Sequence, residues 1–218
     1  MQKFGPFRVY CHSIAGNESS TQVKHDKTFF NFDLGSSYGT IVNSGLVFIS
    51  HGHIDHIADV PKHMRQRQLR RLPKAKYFFP YQIEKDLRLI CSSFSKIHTS
   101  GAEDLATPDF HPVKPGDLIE LTDKWTVKVF NTHHAIDSCG YILYLSNQPM
   151  IAYCGDTRFS VFLDPSIKDL LSVKLLITEC TYLDNEDSNY QRCLDYYHTH
   201  IKDFNENPSI FTVSYSIN

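Results

Sequence analysis

Four side chains able to bind a metal or move a proton fall within six positions of the chain, in Ser50-His51-Gly52-His53-Ile54-Asp55-His56. They follow a short apolar strand at residues 46–49. Side chains alternate along extended backbone, so His51 and His53 point to one side. Asp55 and His56 begin the next turn and face a second point nearby. Neutral imidazole and carboxylate suit Zn²⁺, at about 2.0–2.2 Å. The spacing is not the i, i+4 pair of H-E-x-x-H, which excludes helical zincin geometry. A polar loop that happens to be rich in histidine is the plainer alternative, and four ligand-type residues in this register argue against it. Further candidates follow downstream. His133 and His134 close a strand, Asp156 follows Gly155 after another, and Glu179 precedes a His198-Thr199-His200 string.

These groups need a scaffold, and the composition supplies one. The chain has 218 residues, a net charge of −2, 41% hydrophobic and 21% charged residues, 12 His and 6 Cys. That length suits a single domain over 1–218 with room for a core. The apolar content excludes disorder, and no run approaches the ~20 apolar residues of a membrane span. The N-terminus lacks the basic-then-apolar build of a signal peptide, so an intracellular protein, cytoplasmic or nuclear, is expected. The cysteines form no C-x-x-C pair and read as reduced packing residues. A near-neutral balance excludes a nucleic-acid binder that works by bulk charge and leaves room for a local patch.

Strands are expected at residues 7–11, 28–32, 46–49, 77–79, 124–131, 141–146, 150–154 and 174–178, which are short, aromatic or β-branched. Ile83, Leu87, Ile90 and Phe94 make a helical stripe, and helices are also expected at 161–171 and 185–205. Strands with helices between them argue for a layered α/β domain.

The H-x-H-x-D-H string resembles that of the metallo-β-lactamase superfamily, and further landmarks fall in order. Asp33 in Asn31-Phe32-Asp33-Leu34-Gly35 looks like the family's early Asp, which orients a ligand histidine. Asn131-Thr132-His133-His134 leads into Gly140-Tyr141, and Cys154-Gly155-Asp156-Thr157 is similar to the segment that carries the bridging carboxylate. Thr178-Glu179-Cys180-Thr181-Tyr182 and Tyr197-His198-Thr199-His200 resemble two later motifs of ribonuclease Z, the tRNA 3′-processing endonuclease, over roughly residues 7–212. The resemblance implies a four-layer αββα sandwich, incomplete at its C-terminal edge. It implies two zinc ions, one held by His51, His53, His134 and a shared Asp156, the other by Asp55, His56, Asp156 and a last histidine. His134, six residues before Gly140, matches the third-motif ligand better than His133. Asp55 would orient or deprotonate the attacking water, and His198, held by Glu179, would protonate the leaving oxygen. For His198 and His200 the plainer alternative is an exposed helical pair.

Three features depart from that pattern or add to it. The resemblance calls for a final histidine after a last strand, but Ser209-Ile210-Phe211-Thr212 is followed by Val213 to Asn218 without an imidazole. The second site is then expected to have three protein ligands and weaker metal affinity, and the chain to be cut short. The interval from Gly140 to Cys154 fits a tight hairpin and leaves no room for the family's tRNA-gripping arm. Lastly, Lys62, Arg65, Arg67, Arg70, Arg71, Lys74 and Lys76 form a run without Asp or Glu. Arg67, Arg70 and Arg71 are expected to hold phosphates beside the site, the alternatives being a solvated face or an import-like signal. The expected function is a zinc-dependent phosphodiesterase acting on tRNA precursors, with no membrane partner, and the resemblance leaves a homodimer open. The alternatives are a phosphodiesterase for small or cyclic nucleotides and an inactive remnant.

Overall fold

The computed structural model describes residues 1–14, 16–99, 108–122, 124–181 and 186–206. Seven strands form the first sheet in chain order: β1 (Gln2–Phe4), β2 (Phe7–Ile14), β3 (Glu18–His25), β4 (Thr28–Phe32), β5 (Leu46–Phe48), β6 (Lys76–Pro80) and β7 (Asp109–Val113). β1 to β4 are antiparallel neighbours, whereas β4 to β7 run parallel. The second sheet contains β8 (Leu118–Glu120), β9 (Trp125–Asn131), β10 (Cys139–Leu145), β11 (Gln148–Tyr153) and β12 (Leu175–Ile177), in spatial order β12-β11-β10-β9-β8.

Alternation along the strands divides each sheet into two faces and so builds the layers. Phe7, Val23, Phe30, Phe32, Phe48 and Phe78 meet Trp125, Val127, Val129, Tyr141, Leu143, Ile151 and Tyr153 between the sheets. The other face of the first sheet packs Val47, Tyr77 and Phe79 under α1 (Ile54–Ile57), α2 (Val60–Leu69) and α3 (Glu84–Thr99), through Ile57, Val60, Leu87 and Cys91. The other face of the second sheet covers Ile142 and Ala152 with the 3₁₀ turn Phe159–Leu163 and with α5 (Ile201–Glu206), through Phe162 and Phe204; α4 (Asp187–Tyr196) precedes α5. This is the expected αββα arrangement. No helix among the described residues is long and apolar enough to cross a membrane.

Several local expectations change. β3 reads Glu-Ser-Ser-Thr-Gln-Val-Lys-His and shows no apolar period, yet it pairs on both edges, so its ladder comes from its neighbours. α3 buries Leu87, Cys91 and Ser95, while Ile90 and Phe94 are more exposed, so the core-facing stripe is rotated from the one expected. Residues 161–171 form a short 3₁₀ turn followed by irregular turns. The helix expected over 185–205 breaks into α4 and α5 at Tyr197–His200. The hairpin between β10 and β11 is closed by Ser146 and Asn147 alone, both at positive φ, the signature of a tight two-residue turn.

Candidate metal centre and the adjoining carboxylate–histidine pair

The parallel strand β5 carries the histidine string to the rim of the sandwich. Its end is clamped from the second sheet: Tyr141 Oη donates to the Ile49 carbonyl at 2.6 Å, and the Cys139 N–H donates to the Ser50 carbonyl at 2.8 Å. Gly155 allows the Asp156 segment to approach at φ +59°. A Cβ there would lie 2.5 Å from Ser50 Cβ, so no larger residue fits.

Beneath the string lies the fully buried Asp33. Its Oδ1 accepts the Ser50 N–H at 2.7 Å. Its Oδ2 accepts Ser50 Oγ–H at 2.8 Å, His56 Nδ1–H at 2.7 Å and the Tyr153 hydroxyl. Burial and the Asp33 charge hold the Tyr153 hydroxyl well above its usual pKa, so it remains a donor. One carboxylate thereby ties β4, β5, α1 and β11 together.

These bonds decide which imidazole nitrogens carry protons. His56 donates Nδ1–H to Asp33, and its Nε2 lies 3.5 Å from both Asp55 Oδ2 and Asp156 Oδ2. Burial opposes charge on this ring, but Asp33, Asp156 and Asp55 together raise its pKa far above the usual imidazole range, so without a cation Nε2 also carries a proton. Ser50 Oγ spends its proton on Asp33 and accepts from His51 Nδ1 at 2.8 Å, so His51 Nε2 is a lone pair. A carbonyl can only accept, so the 3.3 Å contact between His134 Nδ1 and the Tyr197 carbonyl puts the His134 proton on Nδ1. His51 Nε2 lies 2.9 Å and His134 Nε2 3.3 Å from the same atom, His53 Nδ1. One proton cannot serve all three nitrogens. Asp156 closes the group, and its ligand atoms and those of the three histidines all lie within 4.8 Å of one another. Face-to-face acceptors with a carboxylate are a donor set for a cation, and the residues fit a metal ion. Burial lowers the pKa of His51 well below the usual imidazole range and lowers that of His134, keeping both neutral. Burial opposes charge on Asp156, but the hydrogen bond and charge of His56, with His198, hold it ionised.

Asp55, His56 and Asp156 come together as a second set beside the first. The position expected for a last histidine, around Val213, lies outside the described residues. His133 turns away, its Nδ1 2.6 Å from Ser160 Oγ.

Glu179 is satisfied differently. Its Oε1 accepts the N–H groups of Thr157 and Thr199, each at 3.1 Å, and His198 Nδ1 at 3.0 Å. Its Oε2 accepts the Thr181 hydroxyl. Three donors thus converge on one oxygen and one on the other, and Asp156, Glu179 and His198 lie close together. Burial works against a charged His198, yet the hydrogen bond and charge of Glu179 raise its pKa overall. The grip on Nδ1 leaves Nε2 as the available nitrogen.

His198 and His200 are not an exposed helical pair. Both lie in the break between α4 and α5. His200 is fully buried and caps α5: its Nδ1 accepts the Lys202 N–H at 3.1 Å, and its own N–H donates to Asp203 Oδ2 at 3.0 Å. The residue before His198 is also distinctive. Tyr197 sits at φ 63°, ψ 42°, a region costly for a non-glycine, and Arg158 stacks 3.7 Å over its ring while bonding the Leu194 carbonyl. Arg158, Tyr197, Thr157 and Ser50 support the site without having stood out in the sequence. Each lies within two residues of His51, Asp156 or His198, and only that adjacency could have flagged it.

The basic run does not reach the site as expected. Arg67 is buried, with Nη1 donating to the carbonyls of Val42 (2.7 Å) and Ser44 (3.0 Å) and Nη2 and Nε to that of Pro73 (2.6 and 3.1 Å). It ties backbone carbonyls together and has no reach toward a phosphate. α2 starts near the histidines and runs back along the first sheet, so Arg70 and Arg71 emerge about 15 Å from its start.

The Beta-lactamase superfamily domain matches residues 35–206. The chain is 30% identical over 225 residues to the chloroplastic tRNase Z TRZ2 of Arabidopsis thaliana, covering 89% of this chain and 62% of that protein, so it spans less than two thirds of that relative's length. It is 31% identical over 138 residues to the nuclear ribonuclease Z of Triticum aestivum, covering 63% of this chain and 75% of that one. Its fold is similar to that of human tRNase Z, short form (ELAC1), with a TM-score of 0.68 at 17% identity, covering 88% of this chain and 81% of the human one. The metallo-β-lactamase fold protein YhfI from Bacillus subtilis gives 0.63 at 16% identity, over 89% and 78% of the respective chains. The chain therefore belongs to the beta-lactamase superfamily, among its ribonuclease Z-like metallo-β-lactamases.

Proposed function

We propose that this chain is a zinc-dependent phosphodiesterase that removes 3′ trailers from tRNA precursors. The observation that carries the reading is the meeting of the His51, His53 and His134 nitrogens with Asp156 beside a hydrogen-bonded Glu179–His198 pair. His51, His53, His134 and Asp156 would hold one zinc ion, and Asp55, His56 and Asp156 would hold a second. Bound zinc supplies Lewis acidity toward phosphate oxygens and makes water acidic near neutral pH. Asp55 accepts a proton from the attacking water at its free carboxylate oxygen. His198 carries a proton on Nε2 to the departing oxygen, and Glu179 holds the ring by Nδ1 and stabilises its charge. Asp33 keeps His56 Nε2 turned toward the site. The curated relatives are named for tRNA processing, and that supports the choice of substrate.

One observation favours a second substrate class. The Ser146-Asn147 turn leaves no arm between β10 and β11, so a smaller phosphodiester such as a cyclic nucleotide could be the ligand instead. The test is parallel turnover of a precursor tRNA with a 3′ trailer, a cyclic nucleotide and bis-p-nitrophenyl phosphate, with metal content measured on the same sample. Trailer release with about two zinc ions per chain is the expected result. Turnover of the small esters alone would move the reading to the second class, and a metal-free, inert chain would reject both.

A further inference from the structure

The part of the basic run that the site does not use meets a second group of cations at the far end of the first sheet. Lys3 pairs with Arg8 across β1 and β2, and Arg8 pairs with Lys24 across β2 and β3. Three cations thus stand side by side on adjacent strands, and the next residue in the row is Phe29, over whose ring Lys24 Nζ lies at 5.2 Å. Like charges placed opposite each other destabilise a sheet, and no carboxylate stands in the row to relieve them. The row lies on the sheet face that also carries α2, since Tyr10 and Val47, which share its alternation, pack in the helix-side core.

The register carries the row onward. Phe30 is level with Leu46, and Leu46 with Lys76, so the segment just before Lys76 lies at this same end. There Arg70, Arg71 and Lys74 are exposed. None of these six cations is in an ion pair among the described residues. In a chain of net charge −2, six unpaired cations gathered on one rim form a local positive surface.

β3 links this rim to the site. It begins at Glu18 and Ser19, beside Gly35 and the Asp55 backbone, and reaches Lys24 five residues later, a span of about 17 Å. A ligand with one phosphate at the histidines and more phosphates about that far away would meet both. We propose that the row Lys3–Arg8–Lys24, extended by Arg70, Arg71 and Lys74, is a docking face for the phosphate backbone of an RNA whose scissile phosphate lies at the histidine cluster. The proposal rests on the phosphodiesterase reading, and it gives the chain a grip on the RNA body that needs no arm from the β10–β11 hairpin.

The test is binding of a precursor tRNA to the full-length, chelator-treated chain by fluorescence anisotropy, from about 50 to 200 mM salt. A Lys3→Gln, Arg8→Gln, Lys24→Gln variant is expected to bind about tenfold more weakly at the lower salt and to lower the salt slope by about 3. A variant with Lys85, Lys96 and Lys114 changed to Gln removes the same charge elsewhere and is expected to bind like the wild type. Thermal melting confirms that both fold, and turnover of bis-p-nitrophenyl phosphate is expected to be unchanged in both. An unchanged slope in the row variant, equal weakening in the control variant, or binding to phosphatidylserine vesicles in place of RNA would overturn the proposal. If RNA binding depends on the row while no phosphodiester is cleaved, the docking face stands and the enzymatic reading falls. If bis-p-nitrophenyl phosphate is cleaved and the row is without effect, the reverse holds.

Discussion

His51 and His63 are both fully buried histidines, twelve positions apart, and burial is the largest influence lowering the pKa of each. Their neighbours differ. His63 Nδ1 accepts the Tyr77 hydroxyl at 2.8 Å, and its Nε2–H donates to the Ile41 carbonyl at 3.3 Å, so the protein satisfies both nitrogens. His51 has one nitrogen satisfied by Ser50 and the other aimed at another imidazole. A buried histidine is therefore diagnosed by what faces its second nitrogen, because burial and the direction of the pKa shift are the same for a core residue and for a ligand. The two carboxylates of the site differ in a related way, since Glu179 is held by main-chain and side-chain donors, whereas Asp156 lies among the His51, His53 and His134 nitrogens.

Experiments can press on that contrast, beginning where the effect is largest. Asp156→Asn and His51→Ala are each expected to abolish tight metal binding and lower kcat by roughly 10³-fold or more. His63→Phe is expected to leave metal content intact, and a metal titration of all three variants by calorimetry checks both halves. Equal metal loss in the His63 variant would end the distinction. Next, His198→Ala and Glu179→Gln are expected to lower trailer cleavage by about 10²–10⁴-fold while keeping full metal content. Their loss should shrink on bis-p-nitrophenyl phosphate, whose leaving group needs no proton. A loss that is the same on both substrates would count against His198 as the acid. Third, Asp33→Asn should weaken metal affinity about 10–100-fold, because the His56 ring loses its fixed orientation, as a competing chelator would report.

The smallest effect concerns pH. Burial, with the charge of Arg67, lowers the His63 pKa to about 3, against an unfolded value of about 6.5. Above pH 6.5 the ring is neutral in both states and costs nothing. As the pH falls below 6.5 the unfolded chain takes up a proton that the native chain refuses, so stability declines toward pH 3. The contribution is about 2 kcal/mol at pH 5. In denaturant melts, the unfolding free energy of the wild type should fall between pH 7 and pH 5 by about that amount more than that of His63→Phe. Equal falls would show that His63 is not held neutral.

Much of the site was legible because its signals are short. A strand end followed by alternating histidines needs only the period of extended backbone to be read, and Gly155-Asp156 needs only the demand for close approach. The ordered landmarks then gave Asp33, Glu179 and His198. What escaped depends on distant backbone. The main-chain donors that hold Glu179 are the N–H groups of Thr157 and Thr199, and no side-chain pattern advertises them. Arg67 looked like a phosphate ligand because charge is visible in a sequence, whereas the carbonyls of Val42, Ser44 and Pro73 that claim it are not. β3 was missed for a related reason: its order comes from two paired edges and not from apolar alternation.

The hydrogen bond from Tyr153 to Asp33 joins residues 120 positions apart. Asp33, the histidine string and α1 all lie early in the chain, and the first sheet can pair them without help from the second. Tyr153 and Asp156 arrive only when β11 docks, and closing so long a loop is a late event in folding. Until then the early histidines lack both their carboxylate and one of the donors that fixes Asp33. The proposed metal set therefore belongs to the closed sandwich: Asp156 joins His51 and His53 only after most of the chain has been made.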